Sequence, residues 1–330
     1  MTIRIPIEEK LRKLLDEGGL DLPFPGQGQT AVRHRSLIEL ARKDLPLARL
    51  AEAHTDAVAI LAEAGRQPVP GAFYGVWASE IPDQPLRLEA AESGVRLSGS
   101  KMFCSGAGIV DRALVTVRMP EPQLVEIDLR ENSDSISYRE GGWITAAFAE
   151  TRTATAVFHG AAIGNDDRIG PPGWYVSRLG FWHGACGPAA CWAGGAMGLV
   201  DYALTNRTEN PHMLAHLGAM EASVWAMYSC LETAGRQIDV HAEDRDPAMT
   251  RNAAMTRALS LRHVIEQFCA DILERFGRAC GPRPLAFDED ASRRYSEVEL
   301  YIRQCHAERD LETLARERCA RLPATHSRVA

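Results

Sequence analysis

The run Gly99-Ser100-Lys101-Met102-Phe103-Cys104-Ser105-Gly106-Ala107-Gly108 places an aromatic ring, a thiol and a hydroxyl among small residues. It admits two readings. It is either a surface hairpin with Phe103 and Cys104 buried, or a piece of backbone shaped to lie against a flat ligand, because small residues let main chain approach a planar group closely. Other side chains that can move protons are scattered. His183 stands in Phe181-Trp182-His183-Gly184, and His306, Glu308 and Asp310 stand in Gln304-Cys305-His306-Ala307-Glu308-Arg309-Asp310. A histidine titrates near neutrality and suits general acid–base work. His306 and Asp310 are spaced i, i+4, which on a helix lets them pair. His212 and His216 share that spacing without a third ligand. The eight cysteines form no CxxC pair and do not combine with the ten histidines at metal-ligand spacing, so reduced, structural thiols and no metal centre are expected.

The elements that must position these groups fall into three regimes. From residue 1 to 70 the pattern is helical, interrupted by the Pro/Gly segment 20–30, and Leu37, Leu40, Leu47, Leu50, His54, Val58 and Leu61 keep helical spacing. Pro46 is expected to divide or kink that run. From 71 to 172 the period changes to two, as in Leu97–Ser105, Ala113–Arg118 and Thr153–Ile163, which predicts an antiparallel sheet of six to eight short strands. From 173 to 330 the helical period returns. Met220, Val224, Met227, Leu231, Ala234 and Ile238 make one stripe, and Leu261, Val264, Phe268 and Ile272 make another. Residues 241–249 read as a polar turn and the last nine as a frayed tail. The expected fold is α+β: a helical N-terminal domain (1–70), a middle antiparallel β domain (71–172) and a C-terminal four-helix bundle (173–330). No GxGxxG follows a first strand, which excludes a Rossmann arrangement.

The 330-residue chain carries a net charge of −7, which argues against a nucleic-acid surface, since that needs a concentrated basic face. It has no apolar run of about 18 residues, so no membrane span is implied. Its first residues place charges every few positions and lack a signal peptide's apolar core, so a cytoplasmic location is expected.

The order of the three regimes, together with Leu97-Ser98-Gly99-Ser100-Lys101-Met102-Phe103-Cys104-Ser105-Gly106 and the following Ala113-Leu114-Val115-Thr116-Val117-Arg118, resembles the acyl-CoA dehydrogenase family. Gly194-Gly195-Ala196-Met197-Gly198-Leu199-Val200 resembles that family's first long C-terminal helix, and Phe276-Gly277 with Cys280-Gly281 resembles its helix-to-glycine turn. The resemblance implies an FAD-dependent oxidoreductase. Phe103 would pack on the isoalloxazine and Ser105 would hydrogen-bond near its N5, with Cys104 between them and Ala78 and Ser79 meeting the ring from a second loop. Arg207 stands where the family often places an arginine on the FAD pyrophosphate. The family also implies a homodimer or homotetramer, or pairing with a homologous chain, and an acyl thioester as substrate.

The resemblance breaks at the catalytic base. Arg303 falls where the family keeps a carboxylate, and the second usual location, Gly184-Ala185-Cys186-Gly187-Pro188-Ala189, has none either. His183, His306 and Glu308 are the candidate replacements. Three activities stay open: a dehydrogenase with a relocated base, a monooxygenase using reduced flavin from a reductase, and a silent subunit kept for assembly. The chain is also short between Gly65 and Val76, where a helix pair normally walls the acyl pocket.

Overall fold

The computed structural model describes residues 5–81, 83–91, 94–139, 142–241 and 247–320. Three helices come first: α1 (Ile7–Asp16), α2 (Thr30–Lys43) and α3 (Leu45–Glu63). Eight strands follow: β1 (Tyr74–Trp77), β2 (Arg87–Ala91), β3 (Gly94–Cys104), β4 (Arg112–Val117), β5 (Gln123–Asp128), β6 (Ile136–Arg139), β7 (Ala154–Ile163) and β8 (Arg168–Ile169). The remainder is helical: α4 (Trp174–Ser177), α5 (Leu179–Gly184), α6 (Cys186–Thr205), α7 (Pro211–His241), α8 (Pro247–Cys280), α9 (Arg283–Phe287), α10 (Glu289–Tyr301) and α11 (Glu308–Ala320). The polar turn read at 241–249 and the terminal tail lie largely outside the described residues.

The break between α2 and α3 falls at Asp44, two residues before the proline. Asp44 is extended (φ −147°, ψ 97°), and its Oδ1 accepts from the Leu47 N–H at 3.1 Å while Pro46 sits in the first turn, where its missing N–H costs nothing. Lys10 on α1 donates to the other carboxylate oxygen at 2.7 Å. Replacing Asp44 with Ala should therefore lower stability by about 1 kcal/mol and the melting temperature by about 2–4 °C. A thermal scan in which Asp44→Ala melts with the wild type would show that the cap contributes nothing.

The strands form two four-stranded sheets, β1-β4-β5-β8 and β2-β3-β7-β6. One pairing departs from the antiparallel expectation: β1 runs parallel to β4, with Tyr74 opposite Arg112. The long connection between them, through β2 and β3, lets the chain return in the same direction. β3 passes tightly over the 85–86 segment, and a Cβ on Gly99 (φ +122°) would stand 2.9 Å from the Leu86 Cα, so only glycine fits there.

In the C-terminal part, α6, α7, α8 and α10 pack together, and α2 lies against α6 and α7. Helix α6 is buried nearly all round, and a Cβ on Gly194 would meet the Ala41 Cβ at 2.7 Å, so glycine lets α2 and α6 approach. The α7 stripe is buried as the spacing predicts except at Val224, which is only partly covered. On α8 the fully buried line runs Ala258, Leu261, Ile265, Cys269, Ile272 and Phe276, while Phe268 is only partly covered. Of the predicted stripe Leu261 and Ile272 are buried, while at Val264 and Phe268 the helix turns the next residue, Ile265 and Cys269, toward the core.

Candidate active site

β3 slips register against β7 between Lys101 and Cys104, so Met102 and Phe103 form a bulge. Phe103 takes the left-handed conformation there (φ +56°), which costs a non-glycine residue about 1–3 kcal/mol. Its ring is 53% exposed and meets Trp143 edge-on, with centroids 6.5 Å apart. Phe148 (φ +58°) and Arg152 (φ +46°), on the segment leading to β7, are left-handed too. Gly106 N donates to Thr151 O at 2.8 Å, so the strained segments lie against each other. Strain of this kind gathers at functional sites.

Ser105 joins them. Its Oγ accepts from Arg49 Nε at 3.1 Å and shares a hydrogen bond with Thr153 Oγ1 at 3.0 Å, and its carbonyl accepts from Trp77 Nε1 at 3.0 Å. Thr153 in turn shares a hydrogen bond with Thr151 at 2.8 Å. Four parts of the chain (α3, β1, the end of β3 and the entry to β7) meet on one residue. The Arg49 guanidinium lies 5.0 Å from the Phe148 ring centre and 4.9 Å from that of Tyr301, a double cation–π contact that fixes its direction.

One turn further along α3 stands Glu52, and one turn beyond it Asp56. Burial raises the proton affinity of both carboxyl groups; the neighbouring carboxylate of Asp56 raises Glu52 further, against Arg33, Arg49 and Arg262. The chain opposite them has glycines: a Cβ on Gly187 would stand 2.6 Å from Glu52 Oε1, and one on Gly184 2.5 Å from Asp56 Oδ1. The carboxyl groups in this part of the structure therefore come from α3 rather than from residues 184–189.

His183 on α5 is 5% exposed, and its Nε2 has no hydrogen-bond partner. Burial lowers its pKa to about 4, helped by the Arg257 and Arg178 charges, so the ring is neutral at physiological pH. It lines a cavity with Asp56, Glu63 and Arg178. Cys104 turns away from Phe103 and Ser105; it is fully buried, donates weakly to Lys101 O at 3.3 Å, and burial raises its thiol to about 12, so its side chain belongs to the β core. Ala78 is half-buried and its carbonyl accepts from Thr116 at 3.2 Å, while Ser79 beside it is exposed. The next residue, Glu80, receives the fully buried Lys101 ammonium, which also donates to Thr116 at 2.7 Å.

The remaining predicted residues lie at the surface. Arg207 donates to Leu204 O at 3.0 Å and so caps its own helix, α6. His306 precedes α11 and pairs with Asp310 as their spacing predicts, its Nδ1 3.6 Å from Asp310 Oδ1, while Asp310 also accepts from the His306 N–H at 3.3 Å. Glu308 is exposed in the first turn of α11. No contact among the described residues joins His306 or Glu308 to Ser105.

No protein-family model matches the chain, and no curated protein sequence does. Solved structures match nearly its whole length. Dibenzothiophene monooxygenase TdsC from Paenibacillus sp. A11-2, solved with FMN and indole, superposes with a TM-score of 0.77 over 96% of each chain at 17% identity. A nitrososynthase from Micromonospora carbonacea var. africana gives 0.81 over 95% of this chain and 89% of its own, at 15% identity. Methanesulfinate monooxygenase MsuC from Pseudomonas fluorescens gives 0.77 over 96% and 92%, at 17% identity. With its helical start, paired β sheets and closing helical bundle, the chain has the acyl-CoA dehydrogenase-like fold that the run from Leu97 to Arg118 implied.

Proposed function

We propose that the protein is a flavin-dependent monooxygenase that takes FMN and oxygenates a small organic molecule. The observation that carries this reading is Phe103: a half-exposed aromatic ring held left-handed at a bulge, directly beside the four-way junction on Ser105. An apolar plane next to a fixed hydroxyl suits a flat ring with a polar edge. Phe103 and Trp143 would cover the ring, and Ser105, oriented by Arg49 and Thr153, would meet its polar edge. Bound reduced flavin with dioxygen supplies the oxygen-insertion chemistry; the chain's own part is to hold the ring and the substrate and to place a proton.

FMN is favoured over the FAD of the sequence-based expectation because Arg207, the residue expected on the pyrophosphate, instead caps its own helix, α6. A dehydrogenase acting on an acyl thioester is disfavoured for a related reason. Arg303, at the usual position of the base, is exposed and pairs with Glu266 at 3.2 Å. The named monooxygenases of the same fold support the oxygenase reading. A homo-oligomer is supported by the exposed Trp225 (73%) and Phe287 (87%) on α7 and α9. Among the described residues no helix is long and apolar enough to cross a membrane.

The test is reconstitution of the purified protein with FMN and, separately, FAD, followed by desalting and a visible spectrum. FMN should be retained at least about tenfold more tightly than FAD. Ser105→Ala should weaken FMN retention about tenfold, since one oriented hydrogen bond near the ring is worth about 1.4 kcal/mol. A colourless protein with either flavin would overturn the proposal and favour a silent subunit. Anaerobic bleaching of bound flavin by acyl-CoA esters would restore the dehydrogenase.

A further inference from the structure

Burial favours the neutral form of the Glu52 and Asp56 carboxyl groups on α3, and Glu63 is committed to Arg178 at 2.6 Å. The guanidiniums that act on the same layer stay charged, because arginine does not give up its proton on burial. Among the described residues Arg33, Arg49 and Arg262 make no ion pair with a carboxylate. Three cations in this part of the structure therefore lack a paired anion.

Two of the three are closed to a ligand. Arg33, 3% exposed, donates to Thr55 at 3.0 Å and to the Pro23 carbonyl. Arg262 on α8, 9% exposed, lies over the Trp192 ring and donates from Nη1 and Nη2 to the Ala185 and Gln304 carbonyls at 2.9 and 2.7 Å. Arg49 differs. It is half-buried and uses only its Nε, in the bond to Ser105 Oγ. Its Nη1 and Nη2 donate to nothing among the described residues. A guanidinium held through Nε keeps its far edge free, and that edge carries parallel N–H bonds from Nη1 and Nη2. This fork matches the two oxygens of a carboxylate.

The surroundings of Arg49 hold the fork in place. Phe148 and Tyr301 lie against the guanidinium, and Tyr301 is itself braced edge-on by Trp192, with centroids 6.2 Å apart. An ion contact in such partly desolvated surroundings is stronger than one in open water. Arg49 is also one hydrogen bond from Ser105, two residues from Phe103, so a group bound at the fork sits beside the proposed flavin ring.

We propose that the Nη1–Nη2 edge of Arg49 binds the anionic end of the substrate, so that the molecule oxygenated is a small carboxylate or a similar two-oxygen anion. That the anion is the substrate rests on the flavin reading; that Arg49 takes an anion rests on its own geometry.

Isothermal titration of the full-length protein at pH 7, FMN-free and FMN-loaded, tests it with acetate and benzoate, each against its uncharged amide of nearly the same shape (acetamide, benzamide). In the FMN-loaded protein at least one anion should bind about tenfold or more tightly than its amide. Arg49→Gln should abolish that preference. Arg49→Lys, which keeps the charge and loses the fork, should retain only part of it. Amides bound as tightly as both anions, or a preference unchanged in Arg49→Gln, would overturn the proposal. A preference confined to the FMN-free protein would overturn it too, because Arg49 would then be serving the flavin's own oxygens. If no FMN binds while the Arg49-dependent preference persists, the flavin reading falls and the anion site stands. The comparison of anions with amides on the wild type decides even where the variants do not fold.

Discussion

Phe103→Gly should leave the protein as stable as the wild type, or about 1 kcal/mol more stable, while reducing FMN affinity about 10- to 100-fold. The two effects come from different parts of the residue. The backbone at 103 is left-handed (φ +56°), a region that glycine enters freely and a side chain enters at a cost of about 1–2 kcal/mol. The ring, 53% exposed with Trp143 as its edge-on neighbour, contributes little burial that glycine would forfeit. What glycine removes is the apolar plane. If that plane covers a flavin ring, the loss is one aromatic stacking contact, about 1.5–3 kcal/mol of binding. Thermal unfolding without cofactor and FMN titration read the two effects separately. A variant that melts several degrees lower and still binds FMN normally would make Phe103 a core residue and withdraw the site.

The fold was legible in this sequence because its patterns are local. The partial alternation of β3 and β7, the β-branched apolar run of β4 and the repeated apolar spacing on α7 each specify an element without help from distant residues. Phe103 and Ser105 were legible because they sit in one contiguous run. Arg49, Glu52 and Asp56 were missed for the opposite reason. They belong to a helix that reads as ordinary core from Leu47, Leu50 and Leu61, and a lone carboxyl on such a helix looks like a solvated face. Only the fold shows that α3 is covered nearly all round and that Glu52 is 9% exposed. A signal did exist in the spacing: acidic residues at 52, 56 and 63 answer glycines at 187, 184 and 180, in the reverse order that antiparallel helices require. His306 and Glu308 attracted attention by proximity to a position that matters in the resembling family. Helix α10 ends at Tyr301, and the chain after it turns outward into the solvent-facing start of α11.

Glu52→Gln should raise stability at pH 8 by about 2–3 kcal/mol and remove much of the wild type's decline between pH 6.5 and 8. The sign follows from which state holds the proton. An unfolded glutamate titrates near pH 4.3, whereas burial and the nearby Asp56 hold the native Glu52 carboxyl protonated well above that. In this window the native state carries a proton that the unfolded chain has lost, so stability falls as pH rises, by at most about 1.4 kcal/mol per unit for each such proton. Glutamine keeps the shape and cannot ionise. Below pH 6.5 the reading is obscured, because His34, His54 and His183 are held neutral with pKa values lowered to about 4 and make stability rise with pH there. Above pH 8.5 the buried thiols of Cys104, Cys186 and Cys269 begin to add their own decline, since burial raises all three. The opposite outcome is equally specific. If Glu52 is ionised in the native protein, balanced by Arg33, Arg49 and Arg262, then Glu52→Gln leaves buried guanidiniums without their counter-charge and lowers stability at every pH in the window. Denaturant titrations of both proteins at pH 6.5, 7.25 and 8 separate the two, and the difference between their slopes isolates the Glu52 proton from those of Asp56 and Glu297, which burial also raises.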